Sequence, residues 1–148
     1  MCEPLHALAY NDTLIGLANR PQLLERLGEL LDDPVERSEV ALIFVDLDRF
    51  KQVNDSSGHH AGNALLREVA ARITGVTGPG RLLARLGGDE FAVVASAGIE
   101  EATELAGHVH DALARPYGLL DRVHQVGASI GVAVAEPGEP RLAPEELL

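Results

Sequence analysis

Cysteine is nearly absent: Cys2 is the only one in the chain. That excludes an internal disulfide and a cysteine-based zinc site, and it fits a reducing, cytoplasmic setting. No apolar run approaches ~18 residues, so no membrane span is expected. Met1–Tyr10 lacks a basic start followed by an apolar block, so no secretory signal is expected either. Positive charge is scarce: 12 Lys+Arg stand against 23 Asp+Glu, a formal net charge of −11. Such a chain repels nucleic-acid backbones unless it carries a basic stripe, and its arginines are scattered. Lysine is scarcer still, with Lys51 the only one. Repeats and low-complexity segments are missing as well.

What is present suits one soluble domain over residues 1–148. The chain is 46% hydrophobic and 24% charged, an ordinary balance for a globule. A chain of this length buries roughly 70% of its unfolded surface, enough for one core. Met1–Tyr10 reads as a helix tail or arm, and Asn11–Arg20 is rich in turn formers. Pro21 suits the first turn of a helix, where no N–H donor is needed. Leu23, Leu24, Leu27, Leu30 and Leu31 then repeat at helical spacing until Asp32-Asp33-Pro34. Val40–Val45 is a continuous apolar run, the pattern of a strand buried on both faces. It runs directly into Asp46-Leu47-Asp48, at the strand end where α/β sites usually lie. Solvated end-caps would give the same letters.

A short helical segment is expected over Arg49–Asp55 and a longer helix over Ala61–Ile73, with Ser56-Ser57-Gly58 between them. The inner face of the longer helix is Leu65, Leu66, Val69 and Ile73. Gly75–Gly80 reads as a loop. Glu100–Arg115 reads as a helix with acids in its first turn, as the macrodipole favours. Pro116–Leu120 reads as a loop and Val123–Ala135 as one strand, with Gly127 and Gly131 as candidate bulges. Pro137–Pro140 reads as a turn, and Ala143–Leu148 as the start of a further helix.

The most informative stretch is Arg85-Leu86-Gly87-Gly88-Asp89-Glu90-Phe91. Leu82-Leu83-Ala84 precedes the glycine pair and Phe91-Ala92-Val93-Val94 follows it, so the segment reads as a β-hairpin. Glycine tolerates positive φ and allows close approach to the backbone. Two carboxylates at such a bend suit a divalent cation carrying a triphosphate. A solvated turn would look much the same. The order helix, strand, helix, hairpin, helix, strand implies an α/β (α+β) sandwich with helices on the sheet's faces. Asp46 and the hairpin tip can then meet at one sheet edge.

Taken together, these residues resemble the GGDEF domain, the catalytic domain of diguanylate cyclases. Gly87-Gly88-Asp89-Glu90-Phe91 is the complete signature. Asp12–Arg20 resembles the family's opening motif, with Ile15 where threonine is usual. Phe44–Asp55 and Gly58-His59-His60-Ala61-Gly62 match its central motif, and Ala128–Ala133 resembles its late strand. The resemblance runs from about Ala9 to Ala135. It implies a palm-like, mostly antiparallel sheet flanked by helices, the nucleotidyl-cyclase or ferredoxin-like architecture. It also implies condensation of two GTP into cyclic di-GMP with release of pyrophosphate, each half of a facing homodimer holding one GTP.

By the same resemblance, Asp46, the backbone carbonyl of Leu47 and Asp89 would hold Mg²⁺, whose preference for a few carboxylates plus phosphate agrees. Asp89 or Glu90 would take the proton from the attacking hydroxyl. Lys51 would offset charge on the phosphates, which gives the solitary lysine a purpose. Asn54, His59 and Asn63 would face the substrate, the first and last at guanine, with Gly87 and Gly88 beside it.

Four departures from the family pattern stand out. Asn63 occupies a position where the family usually has Asp. A carboxylate accepts from both guanine N1–H and the 2-amino group, whereas an amide offers one acceptor and a misplaced donor. Losing that partner costs roughly 1–3 kcal/mol, about ten- to hundredfold in binding. An amide also complements adenine, so purine choice is expected to weaken or relax, unless Asn63 still serves guanine with help from Asn54. The positions of the family's Arg-x-x-Asp product-inhibition site hold Gly78 and Arg81, so no feedback through that site is expected. The basic residues of the family's C-terminal helix would fall beyond Leu148. No sensory segment precedes Met1 in the sequence, so the drive to dimerise is expected from elsewhere. An alternative reading is therefore a degenerate GGDEF domain that binds GTP or a protein partner without turnover. A phosphorylatable receiver would also place carboxylates at a strand end, but it leaves the hairpin signature unexplained. His6, His108, His110 and His124 read as structural or solvated.

Overall fold

The computed structural model describes residues 17–32, 39–78, 81–120 and 122–135. The expected arm over Met1–Tyr10, the turn over Pro137–Pro140 and the helix start at Ala143 lie outside these residues, as does most of the Asp12–Arg20 motif. In chain order the elements are α1 (Arg20–Asp32), β1 (Val40–Leu47), α2 (Phe50–Thr77), β2 (Leu82–Gly87), β3 (Glu90–Ala95), α3 (Ile99–Leu113), β4 (Tyr117–Leu119), β5 (Arg122–His124) and β6 (Ala128–Ala135).

Four of the described strands make one sheet in the order β2-β3-β1-β6, with every neighbouring pair antiparallel. β1 is interior to that sheet, which is why it reads as an unbroken apolar run. Its side chains alternate between two faces, as the pleat requires. Val40, Leu42 and Phe44 pack with Leu23 and Leu27 of α1 and with Ala84, Ala92 and Val94 of the hairpin. Ile43, Val45 and Leu47 pack on the other side with Val53, Leu65, Leu66 and Ile73 of α2 and with Val109 and Leu113 of α3. Helices thus cover both faces, as expected for a palm-like sheet.

Several boundaries differ from the sequence expectation. The two helical segments expected around Ser56–Gly58 form a single element kinked at Gly58, whose φ of 85° and ψ of 172° lie outside helical space. α2 also runs on to Thr77 rather than stopping before Gly75. Thr77 is buried, and its hydroxyl donates to the Ile73 carbonyl at 2.9 Å. Core burial of Ile73 and Thr77 outweighs the modest helix cost of a single glycine. Gly78, with φ of 75°, then ends the helix, and its N–H donates to the Thr74 carbonyl.

The expected loop at Pro116–Leu120 contains β4, which pairs with β5 as a small separate hairpin. Tyr117 and Leu119 are buried there, so the segment is held by packing that local composition conceals. The expected single strand Val123–Ala135 is consequently two strands, broken at residues 125–127. Gly131 forms no bulge; β6 pairs with β1 in unbroken register from Leu47↔Ala128 to Val40↔Ala135. The bulge lies instead in β2, between Arg85 and Gly87.

Candidate active site

The site forms where the ends of β1 and the β2–β3 hairpin meet. The pairing of β1 with β3 sets Asp46 opposite Glu90, and the pairing of β1 with β6 sets Asp46 opposite Ser129. Asp46 follows Val40, Leu42 and Phe44 in the same alternation but lies past the packed core, so its side chain is exposed. Leu47, one residue on, is buried, and its N–H donates to the Asp89 carbonyl at 3.0 Å. The main chains of the two acidic segments are therefore bonded directly.

Partial desolvation at the strand end, then the charges of Asp89 and Asp48, hold the Asp46 carboxyl above its ordinary range. Two carboxylate neighbours thus act on Asp46 at the end of the strand. Hard oxygen donors in this state suit Mg²⁺, which prefers a few carboxylates supplemented by phosphate and water. Among the described residues no group of three or more His, Cys, Asp or Glu side chains is set to hold a metal alone. The donor set fits a cation held by two carboxylates, a backbone carbonyl and a nucleotide, and not a closed all-protein cage.

The hairpin tip is braced by Arg85, whose Nε and Nη2 donate to the Gly88 carbonyl at 3.3 and 3.0 Å. A further tie runs from the Arg85 N–H to the Ala18 carbonyl at 2.9 Å, joining the segment before α1 to β2. Gly87 and Gly88 do not adopt positive φ, contrary to the conformational reason expected for them. A Cβ on either would meet nothing within 4 Å, so the turn presents bare, open backbone to an approaching molecule.

Beyond β1, Asp48 N–H donates to the Gly127 carbonyl at 2.9 Å, and Ser129 Oγ donates to Asp48 Oδ1 at 3.2 Å. These bonds fix the chain as it leaves the strand. Arg49 then takes a left-handed φ of 64° and starts α2 without a side-chain cap. Lys51, in the first turn, and His59, just after the kink, are exposed, with no hydrogen bond or ion pair to the described residues. Asn54 is half-buried with its amide against Gly62, and half-buried Asn63 is the next residue along. The structure thus joins Asp46, Leu47, Asp89 and Glu90 by sheet register, and brings Asn54 to the neighbourhood of Asn63 by the kink.

Arg85, Ser129 and Gly62 fall within the sequence motifs, but sequence reasoning assigns them no role of their own. Arg85 lies three residues before Gly88, a spacing at which a side chain can reach a turn carbonyl. The approach of Ser129 to Asp48 across 81 positions left no local signal. Arg81 is tied to the Thr77 carbonyl and lies 3.8 Å from Glu101. His108 and His110 are exposed and His124 half-buried, while His6 lies outside the described residues.

Comparison with known proteins defines the class. The family profile described as "Diguanylate cyclase, GGDEF domain" matches residues 9–147. This chain belongs to the GGDEF domain family of diguanylate cyclases.

Among individual relatives, it is 39% identical over 146 residues to the probable diguanylate cyclase DgcE of Escherichia coli, covering 97% of this chain and 13% of that protein. It is 38% identical over 143 residues to the diguanylate cyclase TpbB of Pseudomonas aeruginosa, covering 95% of this chain and 33% of that one. A solved structure of a sensory box/GGDEF family protein from Caulobacter crescentus superposes with a TM-score of 0.79 at 42% identity, covering 85% of this chain and 83% of that one. The chain thus spans a third or less of these two curated relatives.

Proposed function

We propose that this chain forms one catalytic domain that condenses two GTP molecules into cyclic di-GMP as a homodimer. The observation that carries the reading is the meeting of Asp46 and Asp89 through the Leu47–Asp89 main-chain bond, where the charge of Asp89 acts on the Asp46 carboxyl. Asp46, Asp89 and the Leu47 carbonyl would hold Mg²⁺. Bound there, the ion would polarise the α-phosphate and lower the pKa of the attacking 3′-hydroxyl. Asp89 or Glu90 takes that proton. The 3′-oxygen of one GTP forms a bond to the α-phosphorus of the other, and pyrophosphate leaves; the reciprocal attack closes the ring.

Lys51, exposed and without a partner among the described residues, is free to meet the negative charge that builds on the phosphates. Asn54 and Asn63 address the base, His59 lies beside the substrate, and the open turn at Gly87 and Gly88 admits the triphosphate. Among the described residues no helix is long and apolar enough to cross a membrane. A cytoplasmic location, where GTP is supplied, belongs to the same proposal. Gly78 and Arg81 supply neither member of an Arg-x-x-Asp pair, and Arg81 is engaged with Thr77 and Glu101, so product feedback through that place is not expected.

Asn63 favours a second reading, a domain that holds GTP without turning it over. Incubation with GTP and Mg²⁺ followed by mass spectrometry separates the two, with Asp89→Ala as control. Cyclic di-GMP formed by the wild-type chain and lost in the variant supports the enzyme; saturable GTP binding without product supports the module. The same assay with ATP and with GTP–ATP mixtures tests purine choice. Asn63→Asp should lower the Michaelis constant for GTP by roughly tenfold or more. GTP-only turnover with an unchanged constant would end the idea of relaxed selection.

A further inference from the structure

Gly62 is buried, and the amide of Asn54 lies on it. A Cβ built on Gly62 would stand 1.8 Å from Asn54 Oδ1, 2.8 Å from its Cγ and 3.3 Å from its Nδ2. A side chain at position 62 and the observed amide position are mutually exclusive. The contact is a product of the fold, not of helical spacing. Two residues eight apart in a straight α-helix are separated by about 12 Å along its axis. The kink at Gly58 closes that separation by turning the second helical segment back on the first. By contrast, a Cβ on Gly75, Gly87 or Gly88 would meet nothing within 4 Å.

Asn54 makes no hydrogen bond to the described residues, so neither end of its amide is committed to a partner, and its Oδ1 is the atom that lies against Gly62. An asparagine amide presents donor and acceptor in either order by rotating about χ2, and a loose one discriminates poorly between base edges. Setting its carbonyl end against bare backbone restricts that freedom before the ligand arrives, which lowers the ordering cost of recognition.

We propose that Gly62 is a positioning residue that seats the Asn54 amide, so that base discrimination at this site depends on the absence of a side chain at position 62. This rests on the reading of the chain as a GTP-binding GGDEF domain.

The test is a double-mutant cycle in the full chain with Gly62→Ala, Asn54→Ala and the pair together. Affinities are measured by calorimetry for Mg–GTP and for Mg–inosine triphosphate, which lacks the 2-amino group. Gly62→Ala should weaken GTP binding by roughly ten- to hundredfold and flatten the preference for GTP over inosine triphosphate. The pair should be no weaker than Asn54→Ala alone, because the methyl group acts only by displacing the amide. If Gly62→Ala does not fold, the double variant still decides the matter. With the amide gone it should fold and match Asn54→Ala, and a double variant that is unfolded or weaker overturns the inference. Wild-type affinity and preference in a folded Gly62→Ala, or additive losses in the pair, also overturn it. Those outcomes leave the GTP reading intact. Failure of the wild-type chain to bind GTP would remove that reading and this inference together.

Discussion

Replacing Asp89 by asparagine should stabilise the metal-free protein while removing its response to Mg²⁺. The side chain would become neutral but nearly isosteric, and the Asp89 carbonyl would still accept from Leu47 N–H, so the hairpin keeps its register. What disappears is one of the two neighbouring charges that raise the Asp46 proton affinity. Asp46 is exposed and Asp89 half-buried, so solvent screens most of the repulsion. The gain is then that of a weak surface pair, about 0.3–1 kcal/mol. In a chain of this size it corresponds to a rise of roughly 1–3 °C in Tm.

Asp46→Asn should give a similar gain, and the two together less than the sum, since one repulsion is removed only once. The pH sign follows from the raised Asp46 value. The folded state holds this proton more tightly than the unfolded state, so the contribution is full below the ordinary carboxylate pKa and is lost as pH rises through the raised one. Thermal melts in EDTA and in Mg²⁺ with a non-hydrolysable GTP analogue would measure both effects. Ligand at ten times its Kd raises wild-type stability by about 1.4 kcal/mol, and the Asp89→Asn melt should barely move. A metal-free Asp89→Asn that melts well below wild type, or one that keeps the full ligand shift, would refute the shared-cation argument.

Arg72 lies 3.7 Å from the Tyr117 ring centroid and donates to the carbonyls of Ala112, Arg115 and Pro116. Arg72→Ala should cost about 2–3 kcal/mol in urea unfolding, and Arg72→Lys should recover little, because an ammonium lacks the planar fork. Tyr117 donates its hydroxyl to the Leu113 carbonyl at 2.8 Å, and burial, outweighing nearby Arg72, raises the phenol pKa. Stability should therefore fall as pH climbs above the unfolded phenol value of about 10, and Tyr117→Phe should flatten that slope in alkaline melts. Gly58→Ala places a side chain at φ of 85° and should cost about 1–3 kcal/mol by chemical denaturation, although no neighbour obstructs the added Cβ.

Much of this architecture was legible because its signals are local. β1 announces itself by an apolar run of the kind an interior strand carries, and α1 by leucines at helical spacing. The hairpin was readable from two apolar stretches meeting at Gly87 and Gly88. Asp46 and Asp89 were placed at one edge by element order alone, which the Leu47–Asp89 bond realises. The features that escaped depend on contacts that only the folded chain makes. Tyr117 becomes part of β4 because the packed core and Arg72, 45 positions earlier, receive it. Ser129 meets Asp48 only once β6 has paired with β1. Gly62 reads as an ordinary motif glycine until a bent helix brings Asn54 onto it.

The main-chain bond between Leu47 and Asp89 has a consequence for how activity relates to folding. Its two ends are contributed by segments on opposite sides of a 28-residue helix. Neither acidic segment has the other nearby until the central strand and the hairpin have zipped together. A partly folded chain, or a fragment ending before the hairpin, would own half of each interaction and grip nothing. Under the proposed function, nucleotide capture would then require the central strand and the hairpin to be joined first.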